Sequence, residues 1–277
     1  MGEASSKDKP DGSGLVDNDP WLAPHADALR QRYRLYEKKL DEICTAYGSL
    51  EAFSRGHEYF GLNRGEKDGE PGVWYREWAP GAKALALIGD FNGWDRSPNP
   101  MTRDQFGVWH VFLPDRQYAD RLVHGSRVKV RVDSDLGRMD RIPAYIRRAV
   151  YEEEPNIYTG QYWCPPEPHH WRHQVPEMRG APRIYEAHVG MALEQQRVAT
   201  YNEFTQHILP RIVRAGYNAV QLMAILEHPF YASFGYQVSS FFAPSSRFGT
   251  PEDLRNLIDT AHGLGLRVFI DLVHSHA

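Results

Sequence analysis

Hydrophobic positions change their period twice along the chain, and each change marks a change of architecture. Within residues 21–55, Leu29, Tyr33, Tyr36, Leu40 and Ile43 recur at three-to-four spacing, the repeat of one helix face, and the repeat stops near Gly48. From residue 56 to 165 the period shortens. Val73 and Tyr75 alternate with Trp74, Arg76 and Trp78, and Ala84–Ile88, Val108–Leu113 and Val128–Val132 are further short runs between clusters of Gly, Asn, Asp and Pro. Such runs at regular spacing predict a β-sandwich. Four prolines and two adjacent histidines in 165–181 then break both patterns, so 166–182 reads as a linker.

From residue 183 to 277 the two periods alternate. Ile184–Val189 is a short strand, and Thr200 opens a helix with Glu203 in the capping-box position and Phe204, Ile208 and Ile212 on one face. Pro210 predicts a kink or break there. Asn218–Ile225 is nearly all apolar, the pattern of a strand buried on both faces. Thr250-Pro251-Glu252-Asp253 starts a second helix with an N-cap, a proline at N1 and acids in the first turn. Gly263 and Gly265 end it, and Leu266–Leu272 is the next strand. Strand, helix, strand, helix, strand implies a parallel βα array, a beginning that open doubly wound sheets and closed barrels share.

Composition narrows the function classes. A net charge of −4 gives no electrostatic case for nucleic acid or an anionic membrane. Two cysteines far apart, Cys44 and Cys164, argue against a disulfide framework and for a reducing, cytoplasmic compartment. Residues 1–15 are small, charged and rich in Gly and Ser, without an apolar core or an Arg-rich amphipathic pattern, and a disordered tail is expected over 1–20. No run approaches the length of a membrane span. Seven Trp and 15 Tyr, many beside Gly, Pro and Asn, suit stacking on sugar rings as well as ordinary core packing.

The polar residues with the clearest chemical placement are Asp271, His274 and His276, which follow the third strand where an α/β fold puts its chemistry. Taken alone, His274 and His276 read equally as a metal pair or as hydrogen-bonded loop histidines. Tyr236, in Ser233-Phe234-Gly235-Tyr236, occupies the long loop after the second strand, with a glycine for close backbone approach. Glu227-His228 follows the same strand, but one carboxylate without a partner is not an acid/base pair. In the sandwich, Trp78-Ala79-Pro80 and Gly89-Asp90-Phe91-Asn92-Gly93-Trp94 are aromatic corners. Each suits a sugar surface or a core plug.

These motifs, in this order, resemble the glycogen and starch branching enzymes of the α-amylase superfamily. Trp74–Pro80 through Gly89–Trp94 resembles their carbohydrate-binding module of the type called CBM48. Residues 183–191, 217–237, 241–254 and 271–277 resemble the start of their catalytic barrel, and the resemblance runs from about Trp21 onward. It implies a multi-domain chain: a helical segment, a CBM48-type β-sandwich, then the first three βα units of a truncated (β/α)8 barrel. It also implies transfer of an α-1,4-glucan segment to a 6-hydroxyl by retaining double displacement, with no metal or organic cofactor and with α-glucan (glycogen, amylose or amylopectin) as partner. By the family pattern Tyr236 stacks near the sugar being cleaved, His276 hydrogen-bonds that sugar and Asp271 shapes the site. Trp78 and Pro80, with Trp94 as a weaker candidate, line a surface glucan site. A family contact just after Phe106-Gly107 is occupied here by Val108. The family's nucleophilic Asp and acid/base Glu lie on strands beyond residue 277, so the expected reading is a chain cut short and inactive alone. The competing expectations are a non-catalytic glucan-binding protein and, less favoured by the residues after the second strand, a debranching hydrolase.

Overall fold

The computed structural model describes residues 11–95, 100–154 and 156–274. The chain forms two compact units that meet in sequence at Tyr59 and Phe60. In the first, the helix Ala26–Tyr47 ends at Gly48, which at φ +85° closes it with an N–H to Cys44 O. The expected tail is ordered over part of its length. Leu15–Asn18 forms a helical turn and Pro20–His25 a 3-10 stretch, because Asp19 caps Trp21 N, Asp11 takes Ser13 N and Oγ, and Gly12 packs against Tyr33.

The second unit begins with the sandwich. One sheet has the order β1 (Gly61–Lys67), β2 (Glu70–Trp78), β5 (Val108–Pro114) and β4 (Thr102–Arg103). The other runs β3 (Ala84–Gly89), β6 (Arg127–Ser134), β9 (Ile157–Gln161) and β8 (Ala149–Glu152), with β7 (Gly137–Arg141) also on β6. Period-2 alternation sets the layers. On β2, Val73, Tyr75 and Glu77 are buried, while Trp74 and Arg76 are half-buried and Trp78 is exposed. The inward residues Tyr75, Leu87, Leu113 and Val128 form one core, each fully buried aliphatic side chain contributing about 2 kcal/mol. Glu77 enters that core because Tyr75 Oη and Ala144 N both donate to it, and burial raises its carboxyl above the usual range.

Three parallel strands follow, β10 (Ile184–Ala187), β11 (Ala219–Leu222) and β14 (Arg267–Ile270), adjacent in sequence order. The helix opened by Thr200 has the expected capping box with Glu203. Where Pro210 predicts a break, the backbone instead widens to a π turn over Phe204–Ile208, and Pro210 falls at the start of Leu209–Arg214, where its missing N–H costs least. Thr250 and Asp253 cap the helix Pro251–Gly263 reciprocally. Between the second and third strands an unforeseen antiparallel pair, β12 (Leu226–Glu227) and β13 (Ser240–Pro244), frames the loop 228–239.

The Pro-rich segment 166–182 has neither helix nor strand, yet it is pinned. Buried Asp259, on the helix Pro251–Gly263, accepts from Arg172 N, Arg172 Nε (2.6 Å) and His173 N. Burial opposes ionisation of Asp259, but Arg172 and these N–H groups outweigh it and hold the carboxyl well below the usual range. The sandwich docks on the βα layer through Trp163 Nε1 on Glu252 (2.9 Å), Arg148 Nη1 on Gly249 O (2.9 Å) and the stack Phe60–Tyr145–Phe242, with centroids 5.1 and 4.3 Å apart. No helix among the described residues is long and apolar enough to cross a membrane.

Candidate functional site

The C-terminal ends of β10, β11 and β14 form a mouth. Side chains alternate across strands in register, so Glu186, Gln221 and Phe269 share one level and one face. Gln221 Nε2 donates to Glu186 Oε1 at 3.1 Å. Asp271, two residues past Phe269, continues that face, and its N–H still pairs with Leu222 O. Tyr236 reaches it from the loop between β12 and β13: Tyr236 Oη donates to Asp271 Oδ2 at 2.9 Å. This bond raises the phenol's pKa, with partial burial and the charges of Asp271 and Glu186 adding to the shift. Two of the three residues expected at the mouth are therefore in contact. His276, the third, lies outside the described residues.

The loop carrying Tyr236 is held tightly. Phe234 sits in the left-handed region at φ 55°, and Gly235 at φ 90° lies so close to Ala224 that a Cβ there would be 1.9 Å from Ala224 O. The glycine thus serves the close approach expected of it. At the loop's root Glu227 is fully buried and takes Ser246 N at 2.7 Å. Arg247 donates to His228 O and Pro229 O, and Tyr158 of the sandwich donates to His228 O at 3.3 Å. Glu227 is a structural anchor here, which removes it as a lone catalytic acid.

Sequence reasoning passed over His188. It lies one residue past β10, is 8% exposed and stands among Tyr231, Phe234 and Phe248, 5.5–5.9 Å between ring centroids. Neither ring nitrogen has a hydrogen-bond partner among the described residues. Burial first, then His228, depresses its pKa and keeps the imidazole neutral. The sequence pattern runs that strand on to Val189 and so keeps His188 within it, whereas the structure ends β10 at Ala187. Among the described residues no group of three or more His, Cys, Asp or Glu is placed to hold a metal ion.

On the sandwich, Trp78 is 61% exposed, and its N–H is used on Phe106 O (3.2 Å), leaving the ring to solvent. Pro80 is fixed beside it: its carbonyl accepts from Arg103 Nη2 at 2.9 Å, and Gly107 at φ 81° packs where a Cβ would come within 2.8 Å of Pro80 Cβ. Val108 is buried and offers no contact to this surface. Trp94 stands apart. It follows the far end of β3, about 17 Å of strand from the Trp78 corner, and its N–H is held by Asp90 Oδ1 at 3.0 Å.

A family model for carbohydrate-binding module 48 (isoamylase N-terminal domain) matches residues 59–146, and one for the alpha amylase catalytic domain matches residues 205–277. Among solved structures, the pullulanase SAP of Group B Streptococcus superposes with a TM-score of 0.63 at 18% identity, covering 77% of this chain and 33% of its own, a likeness of fold. A family 48 carbohydrate-binding module followed by the opening strands of an alpha amylase barrel thus defines the class. Within that class the chain is a homologue of the 1,4-alpha-glucan-branching enzymes. It is 49% identical to the Emericella nidulans enzyme over 96% of this chain and 39% of that one, and 50% identical to the chloroplastic/amyloplastic enzyme 2-2 of Arabidopsis thaliana over 96% and 33%. The chain therefore spans well under half the length of these curated relatives.

Proposed function

We propose that this chain supplies the glucan-holding module and one wall of the active site of a 1,4-α-glucan branching transferase. In the proposed reaction a carboxylate nucleophile displaces the α-1,4 bond to give a glycosyl-enzyme, and a second carboxyl group acts as acid and then as base while a glucan 6-hydroxyl takes the segment. The observation that carries the reading is the Tyr236–Asp271 hydrogen bond at the strand ends, in a branching-enzyme homologue. It holds an aromatic ring beside a carboxylate at the mouth, the pair of groups that a sugar ring calls for. Tyr236 stacks on the sugar at the cleaved bond, Asp271 orients it and His276 adds a hydrogen bond. On the sandwich, Trp78 and Pro80 hold the polysaccharide, with Trp94 as a separate, lesser contact. The two distant cysteines support a reducing, cytoplasmic setting, although the Arabidopsis relative is named chloroplastic/amyloplastic.

Pull-down on amylopectin or glycogen tests the module. The native chain is expected to be retained and Trp78→Ala to be retained roughly tenfold less, the usual cost of losing one stacking ring. Equal retention of both removes Trp78 from the surface site.

A further inference from the structure

The outer face of the sheet β1–β2–β5–β4 carries side chains used neither by the Trp78 corner nor by the strand mouth. Alternation along β2 puts Trp74, Arg76 and Trp78 on this one face. The register sets Phe112 opposite Trp74 and His110 opposite Arg76, and Thr102 of β4 opposite His110. Trp74 lies 5.0 Å from Phe112 and 6.1 Å from His110 between ring centroids, with the Arg76 guanidinium 4.3 Å over its ring. Its N–H is fixed on Glu66 O at 3.1 Å. Beside this group opens a cleft of about 460 Å³, lined by Trp74, His110 and Phe112 together with Lys67, Thr102 and the ion pair of Arg116 with Glu70 (2.9 Å). Four residue steps along β2, about 13 Å, separate Trp74 from Trp78.

A cross-strand aromatic pair stabilises a sheet without any need for a cleft. Here the pair lines a concavity that also carries a hydroxyl, a lysine and the Glu70–Arg116 ion pair. That combination suits a pyranose, with C–H faces laid on rings and hydroxyls met by polar groups. Farther along the same face of β2, beyond Arg76, stands the exposed ring of Trp78. We propose that this face is a single track for a linear α-1,4-glucan, with Trp78–Pro80 at one end and the Trp74–His110–Phe112 cleft at the other. The module then reads the length of a glucan as well as its sugar. This rests on the reading that the sandwich binds α-glucan.

Calorimetric titration of the 277-residue chain with maltotriose and maltoheptaose tests it. The native chain is expected to bind maltoheptaose roughly tenfold more tightly, the worth of an added stacking contact. Trp74→Ala removes that advantage and leaves maltotriose binding as it was, whereas Trp78→Ala weakens both sugars. A measurement on the unmodified chain covers the case in which Trp74→Ala fails to fold: the Trp74 indole N–H resonance shifts saturably with maltoheptaose. Undiminished maltoheptaose affinity in Trp74→Ala, or a Trp78 resonance that shifts while that of Trp74 stays still, overturns the track and leaves the single Trp78 corner. Absence of binding to either sugar by the native chain overturns the glucan-binding reading itself.

Discussion

At the scale of single residues, the mouth depends on one hydrogen bond and one glycine. Ionising Tyr236 costs its donated bond and sets a phenolate against the Asp271 carboxylate, so its pKa lies above the ordinary value near 10. Asp271→Asn removes the charge and is expected to bring the Tyr236 pKa back down toward about 10. An NMR titration of the tyrosine ring carbons, with Tyr236→Phe to assign the signal, reads the shift. An unchanged pKa contradicts the pairing. Gly235→Ala meets both a left-handed φ and the Ala224 carbonyl. The expected loss is roughly 2–4 kcal/mol by denaturant unfolding, with faster amide exchange across 228–239.

At the scale of elements, the legible parts were those whose cause is local. The Thr200 capping box, the Thr250 N-cap, the stop at Gly48 and the alternation on β2 follow from neighbours a few residues away, and each stands where the sequence puts it. The apolar run 266–272 put Asp271 at a strand end, and Tyr236 could be read only as a residue of the long loop after the second strand; nothing local showed that the two pair. What escaped was set by distant partners. The π turn at Pro210 depends on how the helix packs, the pair β12–β13 on buried Glu227, and the pinned strap on Asp259 some 86 residues away. His188 escaped because a lone histidine shows its burial only once Phe248 and Tyr231 are folded against it.

The strap gives a pH prediction. The lowered pKa of Asp259 means its contribution is complete above the ordinary carboxylate value near 4 and is lost as pH falls below that toward the depressed folded value. Asp259→Asn should therefore melt lower than the native chain at pH 7. The gap in Tm should close as the pH is taken below about 4. A gap that stays constant down to acid pH rules out the carboxylate as its source.

At the scale of the whole molecule, the three-stranded sheet presents apolar side chains at both borders, with Ile184 42% exposed on β10 and Ile270 42% exposed on β14. At the mouth Asp271 faces a phenol, and Glu186, on the same face, is paired with Gln221.

Sandwich and barrel strands are joined by the Phe60–Tyr145–Phe242 stack and by Trp163 and Arg148 at the head of the Pro251–Gly263 helix. Their separation is thereby a constant of the molecule, where a flexible tether would have made it a distribution. On the proposed function such a strut works as a ruler. A glucan gripped at Trp78 presents to Tyr236 only the bond lying one fixed distance along its path, and a strand too short to span that distance occupies one station or the other, never both.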